Sequence, residues 1–161
     1  MRKLNRAKLC GIAEAAEHLE VADALTDALD AYRNSIDLTR LKKLIIPGRL
    51  PGLNEYITAE RSKKYAGARM RKEAEKRIEL AAKSQLRGVR FKGPIIMHYT
   101  WVEPNRKRDK DNIAFAKKFV QDALVRIGVL ENDGWNHIEN FTDSFSVDKK
   151  NPRVEIWFEE A

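Results

Sequence analysis

Cysteine is nearly missing from this chain. Cys10 is the single one, which excludes an internal disulfide and any cysteine-rich zinc site. It sits in a helical pattern and reads as a small apolar residue. No apolar run approaches the roughly 20 residues that cross a bilayer, so no membrane span is expected. The basic N-terminus is followed by no apolar stretch of the signal-peptide kind, so a cytoplasmic location is expected. Proline is missing from Leu4 to Asn34, where Gly11 is the only glycine. That stretch carries Ile12, Ala16, Leu19, Ala22, Leu25 and Leu29 at helical spacing and predicts a helix. From Glu14 to Asp30 basic charge is missing too: Glu14, Glu17, Glu20, Asp23, Asp27 and Asp30 are all acidic. This is the solvated face of a packing helix, or a surface that contacts a partner or covers a basic one.

The rest of the chain is basic. Charged residues make up 34% and hydrophobic ones 43%, a globular composition, and the net charge of +7 calls for an acidic partner. A length of 161 residues suits one domain with a real core. The division read from the sequence is an N-terminal helical extension over 1–40 and one α/β domain over 41–161. The α/β domain is expected to have a mixed β-sheet packed by helices.

Within that domain the periodicities predict a strand from Leu41 to Ile46, ended by Pro47 and Gly48. A loop through Pro51 and Gly52 follows, closed by Asn54 and Tyr56. One long helix is predicted from Thr58 to about Leu86, with Met70, Ala74, Ile78 and Ala81 as its buried stripe. Arg69, Lys72, Lys76, Lys83 and Arg87 fall on another face. Between Arg61 and Lys92 there are twelve Lys or Arg against three Glu, an excess that suits DNA phosphates. Pro94 to Val102 is rich in strand formers, with Tyr99 and Trp101 read as core or sheet packing. His137 to Val147 and Pro152 to Phe158 read as two strands joined by a hairpin loop at Asp148 to Pro152.

The stretch from Arg106 to Trp135 carries the chemistry. Arg106, Lys107 and Arg108 lead into Asp109 and Asp111, then Asn112. About four helical turns follow to Gly128, which suits a helix C′ position. Asp133 lies in the turn Asn132, Asp133, Gly134. In extended backbone, residues i and i+2 project to one side, so Asp109 and Asp111 can reach one ion. Magnesium takes oxygen ligands and is bound by a few carboxylates plus substrate phosphate. Helical spacing puts Asp111, Phe115, Lys118 and Asp122 roughly in line. Asp133 can return to this group only if the strand after it packs beside the strand before Asp109. The plainer alternatives are an Asp109 helix cap, an Asp111 set against the helix dipole, a turn role for Asp133 and a solvated Lys118–Asp122 pair.

The run R-x-R-D-x-D-N, then K-x-x-x-D-A-L, then G-V-x-x-x-D resembles the RusA family of Holliday junction resolvases of phages and prophages. The residues are Arg106, Arg108, Asp109, Asp111 and Asn112; then Lys118, Asp122, Ala123 and Leu124; then Gly128, Val129 and Asp133. Pro51, Asn54 and Tyr56 resemble the family's N-terminal loop, with a one-residue difference before Tyr56. The resemblance spans roughly Leu41 to Glu159. It implies Asp109, Asp111 and Asp133 as ligands of Mg²⁺, for which Mn²⁺ can substitute, and an active-site lysine on the helix. Counting back from Asp122 selects Lys118; counting forward from Asp109 lands on Phe115, and Lys117 is the alternative. Asn54 is a further candidate near the site, and Glu103 an outer support. The resemblance also implies a homodimer acting on four-way or other branched DNA by phosphodiester hydrolysis, in recombination and repair. The DNA contacts would come from Arg69, Lys72, Lys76, Lys83, Arg87, Arg106, Lys107 and Arg108. Two rivals stand beside it: a branched-DNA-binding protein without catalysis, and a D-x-D transferase. Against the second is the lack of a glycine-rich phosphate loop.

Overall fold

The computed structural model describes residues 42–161. The predicted helix from Leu4 to Asn34, with its acidic stretch, lies outside the described residues. Eight elements follow one another: β1 (Lys42–Pro47), α1 (Leu53–Ser62), α2 (Ala66–Gln85), β2 (Ile95–Glu103), α3 (Lys110–Ala114), α4 (Lys117–Arg126), β3 (Ile138–Val147) and β4 (Arg153–Glu160). The strands form one mixed sheet in the order β1-β4-β2-β3. The α/β class with a mixed sheet and packed helices is thus as the sequence predicts. Among the described residues no helix is long and apolar enough to cross a membrane.

Alternation builds the core. Leu44 and Ile46 from β1, Ile95, Met97, Tyr99 and Trp101 from β2, and Val154, Ile156 and Phe158 from β4 are all buried on one face. Ala74, Ile78 and Ala82 of α2 and Phe119, Val120, Ala123 and Leu124 of α4 belong to the same apolar cluster. Burying each Leu, Ile, Val, Met or Phe among them stabilises by about 1.5–3 kcal/mol. Tyr99 and Trp101 stack at 5.5 Å within this core, as their place in an alternating strand predicts.

Three predicted elements are corrected. The helix expected from Thr58 to Leu86 is two helices, and α1 begins earlier, at Leu53, so Asn54 and Tyr56 lie in its first turns. The break falls at Tyr65, whose φ is +67°. There α1 folds back on α2 so closely that a Cβ on Gly67 would lie 1.7 Å from a Glu60 carboxylate oxygen. The helix expected from Asp109 to Gly128 is also two, α3 and α4. Between them three-residue hydrogen bonds, such as Ala116 N–H to Ile113 and Lys118 N–H to Phe115, tighten the turn. Gly128 does end α4 with φ +75°. Its N–H donates to the Val125 carbonyl and that of Val129 to the Leu124 carbonyl, closing the helix end.

The third correction is the hairpin. β3 and β4 do not pair with each other. β3 runs parallel to β2, and β4 runs antiparallel to both β2 and β1, so β2 lies between them. Burial explains the choice. β4 offers three buried apolar residues and takes a central place, whereas β3 is exposed along most of its length and takes the edge.

Candidate functional site

Strand β2 ends at Glu103, which is buried. Its carboxylate is satisfied by Arg108, whose Nη2 and Nε donate to the two oxygens at 2.6 and 3.1 Å. Arg108 Nη1 donates to the Leu50 carbonyl at 3.0 Å. A buried charge must be paired and hydrogen-bonded to be tolerated, and this fork does both. Arg108 turns inward and fastens the end of β2 to the loop before α1, while Arg106 and Lys107 are exposed.

That clamp sets the start of α3. Asp109 occupies the N-cap position in extended backbone, yet its side chain makes no capping hydrogen bond. Asp111 lies exposed in the first turn of the same helix. Asn112 is buried, and its Oδ1 accepts the backbone N–H of Asn54 at 3.0 Å. Gly52 makes this docking possible: a Cβ there would lie 2.6 Å from Asn112 Oδ1. Tyr56 packs on Phe115 and Phe119 at 5.6 and 5.7 Å. The segment from Pro51 into the first turns of α1 and the D-x-D-N segment therefore form one unit, joined through Asn54 and Asn112, 58 residues apart. It is the backbone of Asn54 that meets this unit. Beside it lies a pocket of about 420 Å³, with Glu103, Arg106, Asp109, Lys110 and Phe145 in its wall.

From α3 the chain returns along β2. Lys110 Nζ stands over Phe145 at 5.4 Å, and Lys117 Nζ over Phe141 at 4.3 Å. Lys117 donates to Asp143 of β3, which also accepts the Trp101 indole N–H at 2.8 Å. Lys118 points elsewhere. Its Nζ lies 2.8 Å from Asp122 Oδ1 and 2.8 Å from Asp133 Oδ2. Of the two candidate lysines, Lys118 is the one that meets the third aspartate. The Asp122 and Asp133 carboxylates raise its pKa, and its ammonium in turn holds the Asp133 carboxyl below the ordinary carboxylate range.

The strand condition for Asp133 is met, since β3 packs beside β2. Among the described residues, no group of three or more His, Cys, Asp or Glu side chains is placed to hold a metal ion, and the Asp133 carboxylate is taken up by Lys118. Ile95 pairs with Ile138 and Glu103 with Val147, so the turn before β3 lies at the start of β2. Asp109 follows the end of β2. Lys118 and its helix lie between them. Magnesium needs only one or two protein carboxylates when substrate phosphate supplies further oxygens. Asp109 and Asp111 have that chemistry; Asp133 is bonded to Lys118.

Lys118 is one end of a chain of charges that the sequence reading did not find. Asp122 Oδ2 accepts from Arg71 Nη2 at 2.9 Å. Arg71 Nε donates to Glu75 Oε1 at 2.6 Å, and Arg126 lies 2.6 Å from the other oxygen of Glu75. Arg126 also reaches Glu79 at 2.9 Å. The Arg71–Glu75 pair has the i,i+4 spacing that a sequence can show. The Arg71–Asp122 bond joins residues 51 apart and leaves no local trace. Of the basic face proposed for DNA, Arg69, Lys72, Lys76, Lys83 and Arg87 are exposed, with Lys83 3.9 Å from Glu79. Arg77, also in the basic stretch, instead donates to the carbonyls of Pro47 and Arg49 at 2.6 and 3.1 Å.

No protein-family model matches this chain, and no curated protein matches it.

Proposed function

We propose that the protein is a Mg²⁺-dependent endodeoxyribonuclease of the RusA type that resolves four-way DNA junctions by paired phosphodiester hydrolysis. The observation that carries this reading is the 2.8 Å contact of Lys118 with Asp133, 15 residues apart. It ties the third aspartate of the motif to the helical segment that opens with Asp109 and Asp111. The pocket beside Asp109, edged by Arg106 and Lys110, supports it further.

Asp109 and Asp111 would hold Mg²⁺ together with a phosphate of the DNA. Bound there, the ion supplies positive charge against the phosphate and makes water a better nucleophile. Arg106 and Lys110 would orient the phosphate from the pocket wall. Lys118 would stabilise charge that develops as the phosphodiester breaks. The exposed cations of α2, with Arg106 and Lys107, would hold the DNA arms. A four-way junction is nearly two-fold symmetric, so two opposed nicks call for a homodimer with one site in each subunit.

The exposed cations Arg69, Lys72 and Lys76 would serve equally the second reading, a branched-DNA-binding protein without catalysis. A synthetic mobile four-way junction, assayed with and without Mg²⁺ beside linear duplex, decides between them. Paired symmetric nicks in the junction alone, and only with metal, are the expected result. Tight binding with no nick in Mg²⁺ or Mn²⁺ would establish the second reading. Asp111→Asn is expected to abolish cleavage while leaving junction affinity intact; cleavage at the parent rate would remove Asp111 from the site.

A further inference from the structure

Asp122 stands between two cations that lie far apart in the sequence, and each of its oxygens has its own partner. Oδ1 lies 2.8 Å from Lys118 Nζ, and Oδ2 accepts from Arg71 Nη2 at 2.9 Å. We propose that Asp122 is the positioning residue for Lys118, holding that ammonium at a fixed place through Arg71 and the buried Glu75 of α2. The inference rests on the nuclease reading for its consequence in catalysis, though not for the geometry.

The Lys118 side chain is 56% exposed, and an exposed lysine ordinarily samples many rotamers at an entropic cost of roughly 2 kcal/mol when it is fixed. A single carboxylate on the Asp133 turn would leave Lys118 following that turn. Two carboxylates from different elements define a position instead. An ammonium has three N–H donors. Two are directed at Asp122 and Asp133, which leaves one for an oxygen of a bound phosphate.

Asp122 is anchored in turn. Arg71 cannot swing away freely, because its Nε is bonded to Glu75 at 2.6 Å and Glu75 is 3% exposed. Packing of α4 on α2 does not need the Asp122 bridge. Arg126 already joins α4 to Glu75 and Glu79, and both helices contribute to one apolar cluster. Removing the bridge should therefore loosen the lysine rather than the helices.

The test compares Asp122→Asn and Asp122→Glu with the parent protein in single-turnover cleavage of a four-way junction at saturating Mg²⁺. Asp122→Asn is expected to lower the cleavage rate about 10- to 100-fold, the loss typical of a displaced catalytic group. Junction affinity should stay within about threefold. Asp122→Glu should recover most of the rate. In a Lys118→Met background, Asp122→Asn should lower the rate no further, because the two act as one unit. Equal losses with and without Lys118, or a fall in thermal stability at unchanged rate, would overturn the proposal and leave Asp122 a helix tether. A readout independent of activity is the ¹⁵N signal of the Lys118 ammonium in the free protein. It should be slow to exchange in the parent and broadened beyond detection in Asp122→Asn. If the parent cuts no junction, the nuclease reading falls by itself, and this signal still decides the geometry: its persistence in Asp122→Asn overturns the positioning role.

Discussion

Single residues decide how the candidate site is held. Gly52 is the clearest case, because its missing Cβ is what lets Asn112 approach the loop before α1. Gly52→Ala should force the two apart and cost about 1–3 kcal/mol of stability, read as a lower urea midpoint. An unchanged midpoint would mean that the loop can shift without losing the Asn54–Asn112 bond. The sequence makes some of these residues legible and hides others. Asp109, Asp111 and Asn112 stand together in one short run, and Gly128 stands where a helix must stop, so local patterns reveal them. Tyr99 and Trp101 are legible as core from alternation alone. Arg108 is not. As one of three successive basic residues it reads as a DNA contact, and only the burial of Glu103 beside it turns it inward. Asp122 is visible only as an i,i+4 partner of Lys118, since its second partner comes from another helix.

At the scale of elements, α2 and α4 share a ladder of charges with Glu75 at its centre. Burial works against ionisation of Glu75, but the hydrogen bonds from Arg71 and Arg126 outweigh it and hold the carboxyl below its ordinary value of 4.5. Asp133 is held below 3.8 by Lys118. A carboxyl depressed on folding adds stability that is present above its unfolded value and is lost as pH falls through the folded one. Thermal stability should therefore hold steady from neutral pH to about 4.5 and drop below it. Glu75→Gln should lower stability at pH 7 by about 2 kcal/mol, as for a lost hydrogen bond to a charged group. It should also flatten the acid limb of a melting-temperature profile. A profile of unchanged slope would assign the acid sensitivity to other carboxylates. The elements also show where periodicity falls short. The apolar stripe through Ala74 and Ile78 continues correctly through α2, yet nothing periodic marks the reversal at Tyr65, which depends on contact between α1 and α2. The polar character of β3 is plain in its sequence, but its parallel pairing with β2 depends on β4 offering a better central strand.

For the whole molecule, the basic excess should set how strongly affinity depends on salt. Each phosphate contact removed lowers the slope of log affinity against log salt by about one. Lys72→Ala with Lys76→Ala should thus reduce the slope for a four-way junction by about two, with the fold intact because both residues are exposed. An unchanged slope would place the DNA on another face. The net charge of +7 calls for an acidic partner from composition alone, but says nothing of the face that would meet it. The strand order has a consequence of another kind, for the time course of synthesis. β1, the first of the four strands to be made, has its partner in β4, the last: Lys42 lies opposite Phe158. Both neighbours of β2 also come after it, and Ile95 pairs with Glu160. Helices α1 to α4 can form as they emerge from the ribosome, and β3 can pair with β2 once made, but β1 cannot join the sheet until β4 is complete. A chain halted at Lys150 would contain every candidate residue from Asp109 to Asp133 and lack the strand that joins β1 to β2.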